Sequence, residues 1–274
     1  MDIRLMAFDL DGTLLDEDKH VPERNARALR RAEEKGIKLM LCSGRAFEVQ
    51  AGFAQEAGIN PIYASANGAR IDLGTNGPIL EENPIQPELA KRIFDELMSR
   101  GIYFMAYARG RSYMFNIDEQ KRLNKHHHAP GITYYGGVPF EIIGDSETAR
   151  HDCWQAAYKF VCFGEDYDPR FDEMKEVLAD LNLSISSSWR DNMEIMRPGI
   201  DKGYAIRRVC AEFGIPLECT MGFGDNTNDL PMFETVGWPV AMGNGEECAI
   251  KAAKIIAPPN HESGVGVVIE EHVL

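Results

Sequence analysis

Asp9 and Asp11 stand one residue apart in "MAFDLDGTLLD" (6–16), directly after an apolar run and directly before a Gly-Thr pair. In a strand, residues i and i+2 point to the same side. Two carboxylates at one strand end repel each other, and the edge of a core makes that costly unless a cation, hydrogen bonds or open water compensates. Such a pair suits a divalent cation that prefers hard oxygen ligands. Gly12 permits a tight turn behind it. The plainer reading is an Asx-type turn that caps a helix.

Three further stretches carry polar residues where an apolar run ends or a helix begins. In "CSGR" (42–45), Ser43 offers a hydroxyl and Gly44 lets the backbone approach a ligand. A helix starting at Arg45 would turn its free N–H groups outward as an anion site. An ordinary serine cap accounts for the same residues. In "GIDKG" (199–203), Lys202 stands at a helix start, where the dipole disfavours a cation. A phosphate held there would explain it, although surface lysines are common. In "GFGDNTND" (222–229), Asp225 and Asp229 lie four apart with Asn226 and Asn228 between them. Two more carboxylates beside Asp9 and Asp11 would repel strongly without a metal. A helix cap needs fewer polar residues than these.

The elements around these stretches explain how they would meet. "IRLMAF" (3–8) and "IKLMLCSG" (37–44) read as strands buried on both faces. "VPERNARALRRAEEKG" (21–36) and "RAFEVQAGFAQEAG" (45–58) read as helices, each stopped by glycine. "IYASANGARI" (62–71) reads as a third strand with a turn at Asn67-Gly68. This alternation predicts a parallel sheet with helices on both faces, and ligands then bind beyond the carboxyl ends of the strands. The same grammar returns after residue 200, with a helix at 202–214, strands at 219–225, 238–243 and 254–257, and helices at 228–237 and 245–253.

The middle of the chain differs. A helix over 87–100 leads into "IYFMAYARGRSYMFNI" (102–117), two strands around an Arg-Gly-Arg turn. Strands at 138–143, 158–164, 184–189 and 193–196 and a helix at 169–182 follow. Residues 84–190 are therefore read as a second α/β domain inserted into a core made of 1–83 and 191–274, in preference to one large mixed sheet. The triple histidine 126–128 has no partner motif and reads as a solvated loop. The aromatic run 102–107, Trp154 and Trp189 read as packing residues.

With 274 residues the chain suits two domains. A 44% hydrophobic and 26% charged composition is that of a soluble globular protein. A net charge of −14 repels nucleic-acid phosphates and anionic lipid, so neither is expected as a main partner. A small phosphorylated substrate remains compatible, given local positive charge or a metal. Six cysteines without a CxxC pair argue against structural zinc and a disulfide framework. Early charges argue against a signal peptide, and no apolar run approaches the ~18 residues of a membrane span. A reduced, cytoplasmic setting is expected.

No stretch is decisive alone, but their order is specific. DLDGTLLD (9–16), LCSGR (41–45), Lys202 in GIDKG and GDNTND (224–229) together resemble the haloacid dehalogenase superfamily, and within it the Cof-type phosphatases. The tail "GWPVAMGNG…AIKAA" and "HESGVGVVIE" is similar to the same subfamily, so the resemblance spans essentially the whole chain. It implies a Rossmann-like parallel-sheet core with an inserted α/β cap. It implies Asp9 as nucleophile, forming an aspartyl-phosphate, and Asp11 as general acid and then base. It implies Mg²⁺ held by Asp9, the Asp11 backbone carbonyl and Asp225. The Leu10 N–H, Ser43, the Gly44 amide, Lys202 and Asn228 would bind phosphoryl oxygens. Asp229 would stand behind the metal ligands or join them, and Arg45 would touch substrate or face solvent. The expected activity is hydrolysis of small phosphorylated metabolites, sugar phosphates first among them, with the cap contacting the organic part.

Rival chemistries fit less well. A dehalogenase attacking carbon needs no Asp11 proton donor. A phosphomutase shares the first step and stays open. A non-enzymatic receiver storing phosphate on an aspartate needs neither the cap nor Asp11.

Overall fold

Four consecutive apolar residues, all buried, make Leu5–Phe8 the central strand β1 of the first sheet. Described here, in a computed structural model, are residues 1–114, 140–164, 168–187 and 192–274. β1 is flanked on one side by β2 (Lys38–Cys42) and β3 (Ile62–Ser65), and on the other by β12 (Thr220–Gly224), β13 (Trp238–Met242) and β14 (Ile255–Ala257), all parallel. Two antiparallel strands, β4 (Arg70–Asp72) and β5 (Ile79–Glu82), extend the β3 edge. The sheet is therefore the parallel core read from sequence, with an antiparallel edge added at β4 and β5. β4 has only three residues and β5 is half exposed, so neither carries a clear apolar pattern.

Helices α1 (Glu23–Glu34), α2 (Phe47–Ala57) and α6 (Lys202–Phe213), with α7 (Leu230–Thr235), α8 (Glu247–Ala252) and α9 (Gly264–His272), complete this unit. One apolar layer joins Leu5, Ala7 and Met40 of the sheet to Ile206, Val209 and Met232 of the helices.

The chain divides into two compact units, Met1–Glu82 with Asp201–Leu274, and Asn83–Ile200. The second junction lies ten residues beyond the one read from sequence, at 200/201 rather than 190/191. Strand β11 (Asn192–Met196) causes the difference, because it pairs with β9 (Ala157–Phe163) and β10 (Ser184–Ser186) of the second sheet. That sheet runs β10-β11-β9-β6-β7-β8, with β6 at Tyr103–Ala108, β7 at Arg111–Met114 and β8 at Phe140–Ile142. The β6–β7 hairpin turns where expected, with Ala108 opposite Arg111 and Gly110 at φ +74°.

Helices α3 (Pro87–Ser99), α4 (Glu147–Gln155) and α5 (Arg170–Val177) belong to this unit. α4 is absent from the sequence reading, since only Ala149 and Cys153 mark its buried side. Phe104 packs edge-on to Phe94 and Phe160, and Trp154 to Phe94, so these aromatics are packing residues. The triple histidine and Trp189 lie outside the described residues. All six cysteines are free. No helix among the described residues is long and apolar enough to cross a membrane.

Candidate active site

Parallel pairing brings three strand ends side by side. Phe8 is opposite Phe223 on one side and Leu41 on the other. Asp9 N–H donates to the Phe223 carbonyl at 2.9 Å, extending this pairing one residue past β1. Asp9, Asp225 and Ser43 therefore leave the sheet at the same edge. Asp9 is 6% exposed and Ser43 2%.

After Asp9 the chain makes one wide π-type turn, Leu10–Leu14, closed by Leu14 N–H to the Asp9 carbonyl at 3.3 Å and Leu15 N–H to the Leu10 carbonyl at 2.9 Å. Gly12 sits in it at φ +73°, and a Cβ there would lie 2.4 Å from Asp225 Oδ2, so only glycine lets the two segments approach this closely. Thr13 Oγ1 donates to Asp225 Oδ1 at 2.7 Å.

One carboxylate oxygen from each of Asp9, Asp225 and Asp229 lies within 4.8 Å of the others. The counter-charge is Lys202, fully buried, with Nζ 2.9 Å from Asp9 Oδ1 and 2.5 Å from Asp229 Oδ1. Asp201 caps α6, its side chain accepting from Tyr204 N–H at 2.6 Å, which leaves Lys202 to enter the cluster. Asp229 is saturated from both sides. Its second oxygen accepts from the backbone N–H groups of Asp225 at 2.9 Å and Asn226 at 3.0 Å. Asn228 Oδ1 is buried and accepts no hydrogen bond.

Three carboxylates around one ammonium leave excess negative charge. Burial, reinforced by the Asp229 and Asp225 carboxylates, pushes the Asp9 carboxyl up to about 8, and Lys202 offsets only part of it. Burial and then Asp229 push Asp225 up to about 6. Burial alone would lower Lys202, but Asp229 and Asp9 outweigh it and hold the ammonium above its ordinary range. An all-oxygen donor set with surplus negative charge fits a hard divalent cation such as Mg²⁺.

Asp11 goes elsewhere. Its carboxylate, 41% exposed, meets Arg45 Nε at 2.6 Å, Arg45 Nη2 at 2.7 Å and Lys19 Nζ at 2.9 Å. Burial pushes this carboxyl up, but Arg45 and then Lys19 outweigh it and hold it well below the usual carboxylate range. The two aspartates read as facing one crevice thus have different partners: Asp9 joins the acidic cluster and Asp11 a basic clamp. The turn separates them, since Asp11 no longer has strand geometry relative to Asp9. Arg45, expected to touch substrate or solvent, is engaged with Asp11.

The second motif also differs in detail. The helix expected to begin at Arg45 begins at Phe47, with Ala46 in the cap position. After Cys42 closes β2, Ser43, Gly44 and Arg45 form a loop in which Ser43 Oγ accepts from Arg45 N–H at 3.3 Å. Gln50, fully buried, pins that loop by donating to the Arg45 carbonyl at 3.0 Å and the Ala64 carbonyl at 3.2 Å. Leu10 opens the π-type turn, and Gly44 lies in the loop between Ser43 and Arg45.

Thr13, Lys19 and Gln50 were not singled out from sequence. Thr13 lies inside the DLDGT stretch, so its signal was present. Lys19 in "DEDKH" reads as solvated charge, and only its turn, with φ +63° and Lys19 N–H donating to the Asp16 carbonyl at 3.2 Å, delivers it to Asp11.

The sequence matches the haloacid dehalogenase-like hydrolase family over residues 6–269. It is 28% identical to the 5-amino-6-(5-phospho-D-ribitylamino)uracil phosphatase YcsE of Bacillus subtilis, covering 100% of this chain and 97% of that protein. It is 26% identical to the pyridoxal phosphate phosphatase YbhA of Escherichia coli, covering 100% of both chains. Its fold superposes on a haloacid dehalogenase-like hydrolase from B. subtilis with a TM-score of 0.84 at 27% identity, covering 99% of this chain and 100% of that one. The chain belongs to the haloacid dehalogenase-like hydrolase family, as one of its phosphatases.

Proposed function

We propose that the protein is a Mg²⁺-dependent phosphatase of small phosphorylated metabolites that works through an aspartyl-phosphate on Asp9. The observation that carries this reading is the separation of two carboxylates: Asp9 among Asp225, Asp229 and Lys202, and Asp11 between Arg45 and Lys19. Asp9 and Asp225, with the Asp11 carbonyl, would hold the cation. When bound, Mg²⁺ supplies charge that offsets carboxylate–phosphate repulsion.

The chain's own residues do the rest. An Asp9 oxygen attacks phosphorus, and the P–O bond to the leaving alcohol breaks as that oxygen takes a proton from Asp11. Water then attacks the aspartyl-phosphate, Asp11 takes the water proton, and Asp9 is released with inorganic phosphate. In the arrangement described, Arg45 and Lys19 keep Asp11 ionised, which suits the second half of this cycle. The first half needs Asp11 protonated, so an arriving phosphate dianion must draw Arg45 and Lys19 partly away. Ser43, the Gly44 amide, the Leu10 N–H and Asn228 are assigned to the phosphoryl oxygens. Lys202 orients Asp9 and neutralises it.

Sugar phosphates remain the first substrate class to test, alongside the compounds that YcsE and YbhA are named for. We assign the choice of leaving group to Asn83–Ile200, because Asp9, Asp11, Ser43, Lys202, Asp225 and Asn228 all lie outside it and act on the phosphoryl group and the oxygen that bridges it to the leaving group. The cytoplasmic setting rests on the sequence grounds above. Purified protein with Mg²⁺ should release inorganic phosphate from members of a phosphomonoester panel, and EDTA should remove the activity. An EDTA-insensitive rate would overturn the metal role, and phosphate transfer to a sugar acceptor without net release would make the enzyme a mutase.

The raised carboxyls give a second test. Between about pH 4 and the raised values, folded Asp9 and Asp225 hold protons that the unfolded chain, with ordinary values of 3.8, has released. The metal-free fold therefore loses stability from this cluster as pH rises through that window. A cation competes with those protons and binds more tightly at the alkaline end. Mg²⁺ should raise Tm more at pH 8 than at pH 5.5. Equal shifts at both pH values would show that these carboxylates do not hold it.

A further inference from the structure

The stretches "AMGNG" (241–245) and "PPNHESGVGVV" (258–268) have no part in the chemistry assigned so far, yet both reach the turn that carries Asp11. The π-type turn is closed by its own Leu14 and Leu15 N–H groups. Its carbonyls at Gly12, Leu14 and Leu15 receive three asparagine amides. Asn244 Nδ2 donates to the Gly12 carbonyl at 2.8 Å, Asn25 Nδ2 to the Leu14 carbonyl at 3.1 Å, and Asn260 Nδ2 to the Leu15 carbonyl at 2.8 Å. The brace is itself tied down. Asn244 Oδ1 accepts from Asn260 N–H at 2.8 Å, and Asn25 Oδ1 accepts from Gly266 N–H at 2.8 Å. Each donor contact ends on a carbonyl and each acceptor contact on an N–H, so the orientation of these amides follows from the partners.

An asparagine amide suits this task because it offers a donor and an acceptor on one short, planar arm. A π-type turn is rare and closes a wider ring than an α-turn. Left to water it has many alternatives, and a shift would move both groups it presents, Asp11 on one side and Thr13, bonded to Asp225, on the other. We infer that Asn25, Asn244 and Asn260 are positioning residues that hold this turn so that Asp11 meets the leaving-group oxygen. The inference rests on the reading of Asp11 as proton donor. It gives the C-terminal segment, outside all four motifs, a role in the reaction rather than in folding alone.

Asn244 is the variant to test, because it is exposed and water can replace its bond to Gly12. A misplaced proton donor harms poor leaving groups most, since p-nitrophenolate departs without a proton. In Asn244→Ala, the single-turnover rate of aspartyl-phosphate formation from an alkyl phosphomonoester should fall about 10-fold, within the range that small misplacements and lost acid catalysis produce. From p-nitrophenyl phosphate the same rate should fall less than about 2-fold. This rate is read rather than kcat, because kcat also contains the hydrolysis step, in which Asp11 serves both substrates alike. Asn244→Asp keeps the acceptor for Asn260 N–H and loses only the donor, and it should behave alike. Equal losses on the two substrates, as from a merely less folded enzyme, would overturn the inference, as would no loss. Asp11→Asn is measured beside them. If Asp11→Asn discriminates between the leaving groups and the Asn244 variants do not, the brace is refuted and the proton-donor reading stands. If Asp11→Asn does not discriminate either, that reading fails and the inference fails with it.

Discussion

Asp9→Asn should abolish turnover of every phosphomonoester and leave no phosphate on the protein after an acid quench. An amide oxygen is too weak a nucleophile to displace an alkoxide from phosphorus, and no other carboxylate takes its place. Asp229 is saturated by Lys202 and two backbone N–H groups, and Asp225 is held by Thr13. Asp11→Asn should behave differently. It should still form aspartyl-phosphate from a substrate with a good leaving group, and then hydrolyse it slowly. The expected loss in kcat is about 10²–10⁴-fold, the usual worth of general acid–base help. The Asp9 variant should lose no thermal stability when metal-free, because it removes one of three mutually repelling carboxylates while keeping the side chain's shape. Acid-quench trapping with labelled substrate, kcat on two leaving groups and a melting curve read all three outcomes. Equal, small losses in both variants would end the assigned division of labour.

Much of this site was legible because it depends on local order. The apolar runs before Asp9, Ser43 and Asp225 had to be buried strands, and parallel strands place their carboxyl ends together. The pairings were not legible. Asp9 and Asp11 read as one pair at a strand end, and the π-type turn gives them different partners, Lys202 for Asp9 and Arg45 with Lys19 for Asp11. The depth of Lys202 was not legible either, because it is a tertiary property, set by α6 packing under the sheet. Two asparagines of the brace, Asn244 and Asn260, stand in the tail stretches quoted above and the third, Asn25, in the first helix, but the brace joins residues 12, 14 and 15 to 244, 25 and 260, a connection that no periodicity encodes. In the second unit the strands with alternating or continuous apolar residues were found, and α4 was not, since two buried residues make no amphipathic face.

Lys202→Met should destabilise the metal-free protein by about 3–5 kcal/mol, the usual cost of leaving buried charges without their partner. The methionine fills nearly the same volume, so the loss is electrostatic rather than a cavity. Lys202 is the ammonium bound to both Asp9 and Asp229, at 2.9 and 2.5 Å, and its own side chain is fully buried. Without it the cluster holds three carboxylates and no cation. Asp9 and Asp225 then take up protons more readily, which removes the nucleophile as well as the stability. The double variant Lys202→Met with Asp229→Asn separates the two effects. An asparagine oxygen still accepts from the Asp225 and Asn226 N–H groups, so most of the stability should return. Activity should not return, because Asp9 lacks the charge that keeps it ionised and oriented. Denaturant melts of the single and double variants, with phosphate release on each, decide the matter. A single variant as stable as the parent would show that the buried ion pairs contribute nothing. A double variant with full activity would show that Lys202 serves only to neutralise Asp229.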